Sequence, residues 1–134
     1  MGVRLVVARN GAEVGSVETE TEDDFMYFRD SVCISLEGND FGARFPVFQR
    51  KLFTDWEAGE VATLENELLS IHADLRRLPP MPSDGNWRSK LAMSGRKPES
   101  LAKVFIDKDG APLVAGLLVL ARLARENGVG IKWC

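Results

Sequence analysis

Near its start the chain carries Val3 to Ala8, a run rich in β-branched residues, closed by Asn10-Gly11. β-Branched side chains fit a pleated surface, and Asn-Gly favours the tight turn of a hairpin. Ala12 to Glu18 alternates loosely, with Val14 and Val17 as its apolar members, so a pair of antiparallel strands is predicted. Phe25, Phe28, Val32 and Leu36 then recur at steps of three and four, the apolar stripe of a helix. Thr21 stands where its hydroxyl can cap the first free amides, with Asp24 at capping-box spacing. The cluster Glu22-Asp23-Asp24 suits the positive end of the helix dipole. Gly38 supplies a left-handed stop near Glu37-Gly38-Asn39.

Between Phe41 and Phe53 the apolar positions Phe45, Val47 and Leu52 suit a strand, which Pro46 confines to a sheet edge or to the strand's beginning. Thr54-Asp55-Trp56-Glu57 has the spacing of a capping box. Val61, Leu64, Leu68, Ile71, Leu75 and Leu78 follow at helical spacing, the cleanest amphipathic pattern in the chain. Leu78-Pro79-Pro80-Met81-Pro82 ends it, because proline cannot continue the hydrogen-bond ladder. Ser83 to Ser100 is a polar connection in which Trp87 and Leu91 predict a short helix or an anchored loop. Leu101 to Asp107, with Val104, Phe105 and Ile106, reads as a short strand broken by Asp107-Lys108-Asp109-Gly110. From Pro112 an apolar helix runs through Leu113, Leu117, Leu118, Leu120, Leu123 and Ala124 to a stop at Asn127-Gly128. Val129 to Trp133 is predicted as a final strand. The pattern is α+β: a small, mainly antiparallel sheet packed on one face by about three helices.

The 134 residues suit one domain over 1–134, and neither a repeat nor a linker divides them. With 45% apolar and 28% charged residues the chain can build one core and is not of the disordered class. A net charge of −3 gives no basic stripe, which argues against a nucleic-acid partner. No segment approaches the roughly 20 apolar residues of a membrane span. Arg4 and Arg9 interrupt the opening apolar run, so it reads as a strand and not as a secretory signal, and the expected location is cytoplasmic. Cys33 and Cys134 are expected as two reduced thiols, Cys33 packed as a small hydrophobe.

Motifs for chemistry are few. His72 is the single histidine, which excludes a histidine-rich metal centre; Asp74, two residues along the same helix, points elsewhere. Asp107-Lys108-Asp109-Gly110 begins like a calcium loop, but Pro112, Leu113 and Val114 stand where later oxygen ligands belong, so a tight turn is expected. Gly11-Ala12-Glu13-Val14-Gly15 lacks the third glycine and the helix of a dinucleotide site. There is no phosphate-loop or nucleophile-elbow motif. No catalytic residue, cofactor or metal ligand is therefore assigned.

Carboxylates fall in two runs: Glu18, Glu20, Glu22, Asp23 and Asp24, then Asp55, Glu57, Glu60, Glu65 and Glu67. Their ordinary use is to match helix dipoles and to solvate exposed faces. The sharper reading is an acidic surface that steers a basic protein partner. On that reading the partner-binding residues are Glu20, Glu22, Asp23, Asp24, Asp55, Glu57 and Glu60. Trp56 joins them because a helix start lies near the surface and tryptophan is enriched at binding hot spots.

One order of features runs along nearly the whole chain. The strand pair and acidic helix start precede Ala43-Arg44-Phe45-Pro46, Trp56, Leu78-Pro79-Pro80 and Trp87. Pro98-Glu99-Ser100-Leu101 then leads into Phe105-Ile106-Asp107-Lys108-Asp109-Gly110-Ala111-Pro112-Leu113, a Leu/Ala-rich helix and a last strand. In this order the chain resembles the immunity protein 70 family, small bacterial proteins associated with polymorphic toxin systems. It departs from that pattern after Trp56, where Glu57-Ala58-Gly59 replaces a proline-led helix start. The resemblance implies a protein that binds and neutralises a cognate toxin domain, with occlusion of the toxin's active site as the mechanism. It transfers no catalytic residue. A protein-interaction adaptor unrelated to toxins and a small carboxylate-dependent enzyme are the alternatives from other classes.

Overall fold

Asn10 and Gly11 both adopt positive φ, 54° and 78°, and join β1 (Arg4–Arg9) to β2 (Ala12–Glu18) in an antiparallel hairpin. The computed structural model describes residues 2–51, 53–80 and 99–134. The loose alternation of β2 has a cause in the register: Val7 faces Gly15 but Ala8 faces Glu13, so Val14 is bulged out of the ladder and left exposed. The third strand, β3 (Lys132–Trp133), pairs with the other side of β1 through Leu5↔Trp133 and Val6↔Lys132, giving the antiparallel order β2-β1-β3. Beyond β3, Ile131 and Trp56 exchange both backbone hydrogen bonds, 2.9 and 3.0 Å.

Three α-helices lie among the described residues: α1 (Glu22–Leu36), α2 (Val61–Leu75) and α3 (Leu113–Asn127). The predicted stripes are the buried faces, with Phe25, Phe28 and Val32 in α1, Val61, Leu64, Leu68, Ile71 and Leu75 in α2, and Leu113, Leu117, Leu120 and Ala124 in α3. The α1 capping box forms in both directions: Thr21 Oγ1 accepts from the Asp24 amide at 3.1 Å, and Asp24 Oδ2 accepts from the Thr21 amide at 3.3 Å. Gly38 (φ 62°) and Gly128 (φ 66°) stop α1 and α3 in the left-handed region. Helix α3 packs on the hairpin, where Gly15 lets it approach: a Cβ there would lie 2.8 Å from Leu123 Cδ1. Helix α2 packs on α3, and the pair is pinned by Glu65, whose carboxylate takes Arg125 Nε at 2.6 Å and Arg122 Nε at 3.2 Å.

Two predicted strands do not form. The 41–53 segment makes turns instead, because carboxylates take the place of a neighbouring strand. Glu37 Oε2 accepts from the amides of Arg44 and Phe45 (3.1 and 3.0 Å), and Glu67 accepts from those of Val47 and Phe48 (3.3 and 2.8 Å). Pro46 between them has no amide to place. In the second segment, Leu101–Lys103 forms a 3₁₀ turn, and only Ile106 pairs, with Pro112. The turn that follows is as expected: Asp107 Oδ1 accepts from the amides of Asp109 and Ala111, and Gly110 takes φ 85°. Leu52, Trp87 and Leu91, with the expected short helix or anchored loop, lie outside the described residues.

Candidate functional site

Trp133 joins the start of α1, which carries the first acidic run, to the 53–56 segment, which opens the second. Phe25, directly after Glu22-Asp23-Asp24, sets its ring 5.5 Å from that of Trp133, edge to face. From the second run Thr54 and Asp55 hold the same residue: the indole Nε1 donates to the Thr54 carbonyl (2.8 Å), and the Trp133 amide donates to Asp55 Oδ1 (2.9 Å). Trp56 stacks on Trp133 at 5.7 Å, and Phe53 meets it edge to face at 5.3 Å. Phe53 is 59% exposed, so the aromatic cluster reaches the surface there. It also holds φ 63°, a conformation costly for an aromatic residue.

Thr54 and Asp55 therefore do not start a helix. A 3₁₀ turn at Ala58–Glu60 precedes α2, and the reciprocal group is Glu60, whose Oε1 accepts from the Glu57 amide at 3.0 Å. The helix start is shifted because Trp56 is committed to Ile131. Trp56 itself, expected near the surface, is 3% exposed, and its indole Nε1 donates to the Val47 carbonyl at 2.8 Å. Phe53, beside the half-buried Trp133, occupies the surface position expected of it. Neither was singled out from sequence, because contacts across more than 75 positions leave no local signal.

The acidic residues divide by use. Glu20, Glu22, Asp23, Asp55 and Glu57 are exposed. Asp24 is 1% exposed and serves the α1 capping box. Glu60 chelates Arg50, whose guanidinium and the Glu57 amide hold its carboxyl well below the usual carboxylate range, at about 2. Glu65 is held down by hydrogen bonding from Arg125, against an opposing push from burial. Burial raises Glu67 despite its two backbone donors. Along one side of α1, the exposed Asp23, Met26 and Ile34 and the half-buried Asp30 form a stripe at helical spacing, and Ile34 is 62% exposed. Among the described residues no ion pair engages Glu22, Asp23 or Asp30, and no group of three His, Cys, Asp or Glu residues could hold a metal ion.

Against known families, the profile described as Immunity protein 70 matches residues 12–132. The chain belongs to the immunity protein 70 family. Comparison with curated proteins and with solved structures returns no match. The matched span takes in the whole of β2, α1, α2 and α3 and both acidic runs. In this member of the family no helix among the described residues is long and apolar enough to cross a membrane.

Proposed function

We propose that this immunity protein binds and neutralises a cognate toxin domain of a bacterial polymorphic toxin system, in the cytoplasm, by covering the toxin's active site and without catalysis of its own. The observation that carries the reading is the aromatic cluster of Trp133 and the exposed Phe53, which packs against the start of α1 and the 53–56 segment, each beside an acidic run. A hot spot characteristically joins an aromatic anchor to a charged surround that excludes water and sets orientation. Glu20, Glu22, Asp23, Asp55 and Glu57 form that surround, and the α1 stripe of Met26 and Ile34 with Asp23 and Asp30 extends it. The surface fits a basic partner face.

The test is co-expression with the candidate toxin encoded beside it. Restored growth and a complex that survives gel filtration are expected. Continued killing with no complex, at normal levels of folded protein, would overturn the reading.

A further inference from the structure

A cavity of about 430 Å³ opens between the end of α2, the 3₁₀ turn and the start of α3. His72, Arg76, Glu99, Ser100, Lys103 and Ala115 line it, with Ala102 and Pro112. Several independent features make it suited to an anion. Pro112 and Ala115 place the N-terminal end of α3 at its wall, and that 15-residue helix has neither a side-chain cap nor an acidic residue in its first turn. The Leu113 amide is taken by the Phe105 carbonyl at 2.9 Å, so the Val114 and Ala115 amides and the dipole present the positive potential. Arg76 has no carboxylate partner among the described residues, whereas Lys103 has only the exposed Glu99, at 3.2 Å.

The Ser100 hydroxyl is the deepest polar group. Ser100 is 7% exposed, and its side chain neither caps the 3₁₀ turn nor finds another hydrogen-bond partner among the described residues. Its oxygen keeps contact with the cavity, where a ligand can bond it. The opposing carbonyls at the end of α2 are partly occupied: His72, Asp74 and Leu75 accept from the amides of Arg76, Arg77 and Leu78. Burial, and then the nearby Arg76 charge, push the His72 imidazole down.

We propose that this cavity binds a phosphoryl group, as free phosphate or on a small phosphorylated metabolite, between Arg76, Lys103, the Ser100 hydroxyl and the α3 amides. Its volume falls in the range of small-molecule pockets, and Ala102, Pro112 and Ala115 offer apolar wall to the rest of such a molecule.

His72 is the single histidine, so its imidazole protons give one reporter signal by NMR. Titration of the full chain with inorganic phosphate and, separately, with ribose 5-phosphate is expected to shift that signal saturably and to raise its titration midpoint. Tighter binding of ribose 5-phosphate identifies the metabolite as the source, and equal binding identifies free phosphate. Arg76→Ala and Ser100→Ala should each weaken binding about tenfold, and Glu99→Gln, which frees Lys103, should strengthen it; a charge-assisted hydrogen bond is of that order. Arg9→Ala, on the β1 turn, should change nothing. A shift that sodium chloride reproduces at equal ionic strength, or one that Arg76→Ala leaves intact in a folded protein, would sink the proposal.

Discussion

A buried backbone amide left without a partner costs about 1–3 kcal/mol, and the segment after α1 holds four amides that no strand reaches. Glu37 takes two of them and also the Gln49 side-chain amide, at 2.9 Å. Glu67 takes the other two, one on each carboxylate oxygen. A carboxamide has a single acceptor oxygen, so in Glu67→Gln an NH₂ group must face either Val47 or Phe48 donor to donor. The variant is expected to lose about 1–3 kcal/mol, read as a lower urea midpoint with an unchanged slope. Glu126→Gln, an exposed carboxylate on α3, should stay within about 0.5 kcal/mol. Nothing local in the sequence distinguishes Glu67 from a solvated helix residue. Its partners lie 19 and 20 positions away, and the 41–53 segment was misread as a strand for that reason.

At the scale of elements, β3 has two residues, and its attachment depends on how closely the neighbouring backbone can approach. A Cβ on Gly130 would lie 2.1 Å from the Trp56 carbonyl oxygen and 3.2 Å from Glu57 backbone atoms, which cannot move aside without breaking the Trp56–Ile131 pairing. Gly130→Ala is expected to cost about 3 kcal/mol, the upper part of the range for overpacking. Gly59→Ala has no neighbouring atom within 4 Å and should be neutral or stabilise slightly, so thermal melts of the two variants make a direct contrast. The difference between these glycines marks what was legible in the sequence. The β1–β2 hairpin, the α1 capping box, the helix stripes and the glycine stops are set by residues within a few positions of each other, and each is where local pattern placed it. Trp56 is core and not a surface anchor, and Trp133, expected only as the end of the last strand, is its stacking partner, because their environment is made by chain segments that meet only once the sheet has formed. The acidic runs are legible as composition; the aromatic cluster that packs beside both is not.

For the molecule as a whole, charge links stability to pH and association to salt. Glu60 and Glu65 have folded values below their unfolded ones, so their contribution is full above about pH 4.3. It is lost as pH falls, through about 2 for Glu60. Glu67 is raised, so it has the opposite sign: its contribution is full at low pH and lost as pH rises through its folded value. In Glu65→Gln the acid limb of a stability-versus-pH curve should flatten, and in Glu67→Gln the loss on the alkaline side of that window should disappear. The exposed acids follow different physics. Glu20, Glu22 and Asp23 act over a Debye length of about 10 Å at 0.1 M salt, so they should set how fast a basic partner arrives. The triple change E20K, E22K and D23K spares Asp24, whose capping role would confound the result. It should lower the association rate about tenfold at low salt and abolish most of its salt dependence, with dissociation little changed. Phe53→Ala removes short-range contact and should instead speed dissociation. Stopped-flow or surface-resonance kinetics against the toxin domain, with both variants shown to melt near the parent, separate the two. Identical association rates for the parent and the lysine variant across salt would remove the acidic runs from the docking surface and leave the aromatic cluster to stand or fall by the Phe53 result.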